Sequence, residues 1–131
     1  MINRELINPQ SIVVVGGSNN VHKPGGRLVR NLLDGKYKGE LYVVNAKEDD
    51  AQGLKSYHSV HDIPETELAI ISIPGPACPE AVDVLAKQKN VKAFIVISAG
   101  FGEETHEGAI LEEQMLKSIN EAGASLIGPN C

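Results

Sequence analysis

The sequence predicts an α/β fold, a doubly wound Rossmann-like parallel sheet of about five strands in the order 3-2-1-4-5. Three observations predict it. Short, unbroken β-branched runs recur along the chain. Amphipathic stretches separate them, and glycine- or proline-rich segments follow the strand ends. Strands buried on both faces and alternating with helices belong in parallel sheets with right-handed crossovers. With 131 residues the chain fits one domain, 1–131, and can bury a real core without staples. The absence of Trp and the few Tyr and Phe make that core aliphatic.

Ser11-Ile12-Val13-Val14-Val15 is the first strand, stopped by Gly16-Gly17. A polar, glycine-rich loop runs to Gly26. A helix follows over Arg27 to Leu33, with Leu28, Val29, Leu32 and Leu33 on one face and Asp34-Gly35 as its end. Leu41-Tyr42-Val43-Val44 is the second strand. Residues 46–62 are polar and are expected to be irregular, with a short helical turn begun by Ser59. Leu68 to Ile73 is the third strand, ended by Pro74-Gly75-Pro76. Pro79 suits the first turn of a helix reaching Gln88. Ala93 to Ile97 is the fourth strand. A longer helix reaches about Ala122, and Ser125-Leu126-Ile127 is the fifth strand. In this order the fifth strand is a sheet edge, an open template through which copies of the chain could associate.

Composition excludes several classes. The net charge of −5 argues against general nucleic-acid binding, although residues 1–47 carry seven basic and three acidic residues against five and fourteen in the remainder. No apolar stretch approaches the roughly 20 residues of a membrane span, and no signal core follows the N-terminus, which points to a cytoplasmic setting. Cys78 and Cys131 have no metal spacing. His58, His61 and Asp62 invite a metal reading but sit in a turn where surface decoration is the simpler account, and no metal site is expected. No nucleophile elbow or paired-carboxylate site stands out, so no catalytic residue is assigned.

In doubly wound sheets, ligands bind at the carboxyl ends of the strands. Gly16, Gly17, Ser18, Asn19 and Asn20 follow the first strand and form the anion-binding candidate, with Lys23 and His22 able to assist. A G-x-G-x-x-G pattern is not present, and a turn that merely joins strand to helix is the plain alternative. The second strand ends Val44-Asn45-Ala46-Lys47, without the acid that holds the ribose hydroxyls of NAD. Lys47 suits a ribose phosphate instead. That leaves NADP or coenzyme A as the ligand.

At these loops the chain resembles the N-terminal coenzyme A-binding domain of NDP-forming acyl-CoA synthetases, which are similar to the α subunit of succinyl-CoA synthetase. The resemblance runs through residues 8–18, 39–47, Ile73-Pro74-Gly75-Pro76, residues 98–103 and Ile127-Gly128-Pro129-Asn130-Cys131. It implies CoA as the ligand, with Ser18, Asn19 and Asn20 at its phosphates and Lys47 at the ribose phosphate. It also implies Pro74 along the cofactor and Ser98, Ala99 and Gly100 near the pantetheine arm. Gly75 replaces the alanine usual between the two prolines, and Ala99 stands where the succinyl enzymes have Glu. The family reaction, acyl-CoA + NDP + phosphate to acid + CoA + NTP, uses a phosphorylated histidine from a later domain, and none of the four histidines here matches it. The chain is therefore expected to be a fragment of a multidomain ligase. It would bind CoA without turnover, its partners being downstream ligase and nucleotide-grasp domains or a subunit. Two other readings stay open: an NADP-binding domain of a dehydrogenase or redox sensor, and a non-catalytic CoA sensor fused to an acetyltransferase.

Overall fold

The computed structural model describes residues 9–97 and 106–127. Its elements are β1 (Ser11–Val15), α1 (Pro24–Asp34), β2 (Glu40–Val44), β3 (Asp50–Ala51), β4 (Leu54–Tyr57), β5 (Leu68–Ile71), α2 (Cys78–Gln88), β6 (Ala93–Val96), α3 (His106–Glu121) and β7 (Ser125–Ile127). Single 3-10 turns at Val60–Asp62 and Gly75–Ala77 complete the chain order. The strands form one sheet in the order β3-β4-β2-β1-β5-β6-β7, parallel throughout except for the β3–β4 pair.

The expected α/β architecture is present, but the strand order 3-2-1-4-5 needs correction. The third strand of that order, at Leu68, lies beside β1 on the side away from β2, in register Ile12↔Leu68 to Val15↔Ile71. The outer neighbour of β2 is β4, from a segment expected to be irregular. Burial explains the arrangement. All four β5 residues are buried, so the strand needs cover on both faces and a central place. Leu54-Lys55-Ser56-Tyr57 presents only one buried residue, Ser56, and tolerates a position near the edge. If β4 is counted as the third parallel strand, the order reads 3-2-1-4-5-6. Among the described residues β7 pairs only with β6.

Along the central strands successive side chains enter opposite cores. Val13, Val15, Ala69, Ile71, Phe94 and Val96 pack with Val82 and Leu85 of α2 and Met115 and Ile119 of α3. Ile12, Val14, Val43, Leu68, Ile70 and Ala93 pack with Val29 of α1, flanked by Leu28, Leu32 and Leu33. Helix α2 begins with Pro79 in its first turn, as its sequence predicts. Ser59 starts the 3-10 turn at Val60–Asp62, its side chain accepting from the His61 N–H. Helix α1 begins one turn earlier than expected, at Pro24, because Gly25 and Gly26 fit against the preceding loop. No helix among the described residues is long and apolar enough to cross a membrane.

Candidate functional site

The carboxyl ends of β1, β2, β4 and β5 meet at one rim, as their parallel registers require. A cleft of about 590 Å³ opens there, within the size range of small-molecule sites (roughly 300–1,000 Å³). Its walls are apolar: Val15, Val44, Val60, Ile73, Pro74 and Ala77. Its polar lining includes Ser18, Lys23, Asn45, Lys47 and His58. Thus Gly16, Ser18, Lys47 and Pro74, expected at the site from sequence, line one cavity. Ser98, Ala99 and Gly100 lie outside the described residues.

The glycine loop owes its shape to close backbone approach. Gly16 has φ +96°, and a Cβ there would overlap the Ser72 carbonyl at the end of β5. A Cβ on Gly25 would overlap the Gly16 carbonyl, so the first turn of α1 rests directly on the strand end. Most amides of residues 16–20 are spent on this shape. Gly16 N–H donates to Val44 O at 2.8 Å and Gly17 N–H to Val14 O at 3.4 Å. Asn19 N–H donates to Glu48 Oε2 at 3.2 Å and Asn20 N–H to Ser18 Oγ at 3.0 Å. The Ser18 N–H alone among these five has no acceptor among the described residues. The first turn of α1 adds N–H groups that no helix bonds internally, together with its partial positive charge.

Two residues that sequence reasoning missed organise this rim. Asn45 donates from Nδ2 to Gly17 O at 2.9 Å, and its Oδ1 accepts from the N–H groups of Lys47 and Glu48 at 2.9 and 3.1 Å. It therefore turns the chain after β2 and ties that turn to the glycine loop; an Asn directly after a strand is the signal that could have revealed it. Gln52 lies in the β3–β4 hairpin and reaches across to the same loop. His58 lines the cleft, and its Nε2 lies 3.0 Å from Asp49 Oδ1. Lys47 is exposed at the mouth. Glu48 follows it but turns towards Asn19, whose Nδ2 donates to the same carboxylate oxygen at 2.9 Å. Cys78 is buried beneath the rim, its Sγ 3.6 Å from Ile73 O. Among the described residues no group of three His, Cys, Asp or Glu side chains could hold a metal ion.

A parallel sheet with a glycine loop after its first strand and a cationic, apolar-walled cleft at its switch point defines a nucleotide-binding α/β domain. The comparisons narrow the class: the chain belongs to the CoA binding domain family, which matches residues 10–131. It is 39% identical over 97% of its length to an ADP-forming acetate–CoA ligase II of Archaeoglobus fulgidus, of which it covers 19%. It is 38% identical over 96% of its length to the α subunit of the corresponding Pyrococcus furiosus enzyme, of which it covers 27%. The chain thus spans about a fifth to a quarter of the curated relatives it matches. A Pyrococcus horikoshii crystal structure superposes with a TM-score of 0.88 at 40% identity, covering 98% of this chain and 29% of that one. The apo acetyl-coenzyme A synthetase 1 of Candidatus Korarchaeum cryptofilum superposes at 0.85 with 34% identity, covering 97% and 27%.

Proposed function

We propose that this chain binds coenzyme A in the rim cleft and serves as the CoA-binding part of an ADP-forming acyl-CoA ligase. One observation carries the reading: Lys23 and Lys47 line an apolar-walled cleft at the ends of β1 and β2, beside a glycine loop and the start of α1. The residues suit CoA. Lys47 meets the ribose phosphate, while Lys23, the Ser18 N–H and the positive end of α1 meet the pyrophosphate. Gly16, Gly17, Asn19 and Asn20 hold the loop that presents them. Pro74 and Ile73 flank the path of the pantetheine arm, and the resemblance assigns Ser98, Ala99 and Gly100 to the same arm. Bound CoA supplies the thiol on which an acyl group is carried.

The relatives named as acetate–CoA ligases support the ligase setting, and their greater length supports further domains or a subunit as partners. Calorimetric titration tests the reading. CoA is expected to bind the chain, NADP to bind much more weakly, and mixing the chain with acid, CoA and ATP to yield no acyl-CoA. Tighter binding of NADP than of CoA would sink it.

A further inference from the structure

We infer that Gln52 is a positioning residue that clasps the anion loop from outside the cleft and holds it ready for the pyrophosphate. The inference rests on the CoA reading above and adds a residue that touches no ligand. Gln52 and Gly53 join β3 to β4, and both have positive φ, +52° and +87°. Paired positive φ values define the two-residue hairpin turn in which Asn, Asp or Gly normally takes the first place. Glutamine there is a strained choice, so its side chain needs a reason.

That reason is visible in its bonds. Gln52 Nε2 donates to Ser18 O and to Gly26 O, both at 2.8 Å. Its backbone N–H donates to Asn19 Oδ1 at 2.6 Å. One side chain therefore bridges the first turn of α1 and the middle of the glycine loop, at Ser18, whose N–H has no acceptor among the described residues. The two carbonyl acceptors settle which end of the amide is the NH2 group. The opposite atom, Oε1, is buried with no partner among the described residues. A buried unpaired oxygen and a left-handed non-glycine backbone are both costly, and such outliers gather where a binding loop must be held in one geometry. Its two donors account for a glutamine at this turn. Sequence could not show this, because the hairpin lies in a polar stretch and its contacts span 26 and 34 positions.

Gln52→Asn tests the clasp, since Asn tolerates the left-handed turn but is one methylene too short to bridge both carbonyls. Gln52→Gly is the second variant, keeping the turn with no side chain at all. Both are expected to fold and to weaken CoA by about tenfold. Adenosine 3′-phosphate, which has the ribose phosphate but no pyrophosphate, should change by less than about twofold. Amide hydrogen exchange at residues 18–26 should accelerate in both variants without ligand. Unchanged CoA affinity in the variants, or equal losses for the two ligands, would overturn the clasp while leaving the CoA reading intact. Failure of the wild-type chain to bind CoA would overturn both.

Discussion

The two faces of the sheet are built on different physics. On one face α2 and α3 cover β1, β5 and β6, with Leu85, Met115 and Ile119 packed in the same core as Phe94 of β6, all essentially buried. Apolar burial is non-directional, so this face depends on volume and tolerates repacking. On the other face the apolar contact is smaller, and the start of α1 is placed by backbone against backbone at Gly16 and Gly25. Directed bonds from Asn45, Asn19 and Gln52 hold that approach. The comparison teaches that the two faces of one small sheet can fail in opposite ways: the α2–α3 face to lost volume, the α1 face to an added methyl.

The largest expected effect tests the first half of that statement. Phe94→Ala should destabilise the chain by roughly 3–5 kcal/mol, whereas Phe94→Leu should cost less than half as much, with CoA affinity unchanged once the protein is folded. Chemical denaturation with titration of the folded variants separates the two. Gly25→Ala tests the second half. The new Cβ meets the Gly16 carbonyl, so about 3 kcal/mol of stability should be lost with CoA binding falling beyond detection. Retained affinity would show that the close approach does not shape the site.

Next in size is Lys47→Ala, which leaves both faces intact. It should weaken CoA about tenfold and dephospho-CoA hardly at all, since a lone exposed charge contributes modestly. Equal losses would show that Lys47 does not read the ribose phosphate. The smallest effect concerns the α2–α3 side, where Asp83 accepts from Ser118 Oγ and pairs with Lys87, which also meets Glu121. The hydrogen bonds from Lys87 and Ser118 hold the Asp83 carboxyl below its ordinary value, against a smaller opposing effect of burial. Its contribution is therefore present above the usual carboxylate range and fades as pH falls through the lowered value. Wild type should lose its small stability advantage over Asp83→Asn in acid, seen as converging unfolding midpoints. A constant gap down to the lowest pH would contradict this.

Much of this was legible locally. The four-residue runs at Val13, Val43, Ile70 and Ile95 announce strands because each must bury both faces. Pro79 marks a helix start by backbone chemistry alone, whereas α1 does stop at Asp34 but turns through a left-handed Lys36 (φ +54°) and not through Gly35. The cleft-lining positions Gly16, Ser18, Lys47 and Pro74 followed from the rule that strand ends carry the site. β4 was missed because Lys55 and Ser56 break its apolar signal, and its turn, Gln52-Gly53, lacks the Asn-Gly or Asp-Gly signature. That omission moved the strand at Leu68 to the wrong side of β1.

The sequence by itself determined the helices, the strands with unbroken apolar runs and the fold class. These follow from local periodicity, turn chemistry and the chirality of crossovers, which act over a few residues. Only the tertiary structure decided which strand neighbours which, that Asn19 turns to Glu48, and that Gln52 holds Ser18 and Gly26. Those outcomes depend on burial shared between distant segments and on hydrogen bonds that form only after the sheet has brought their partners within about 3 Å.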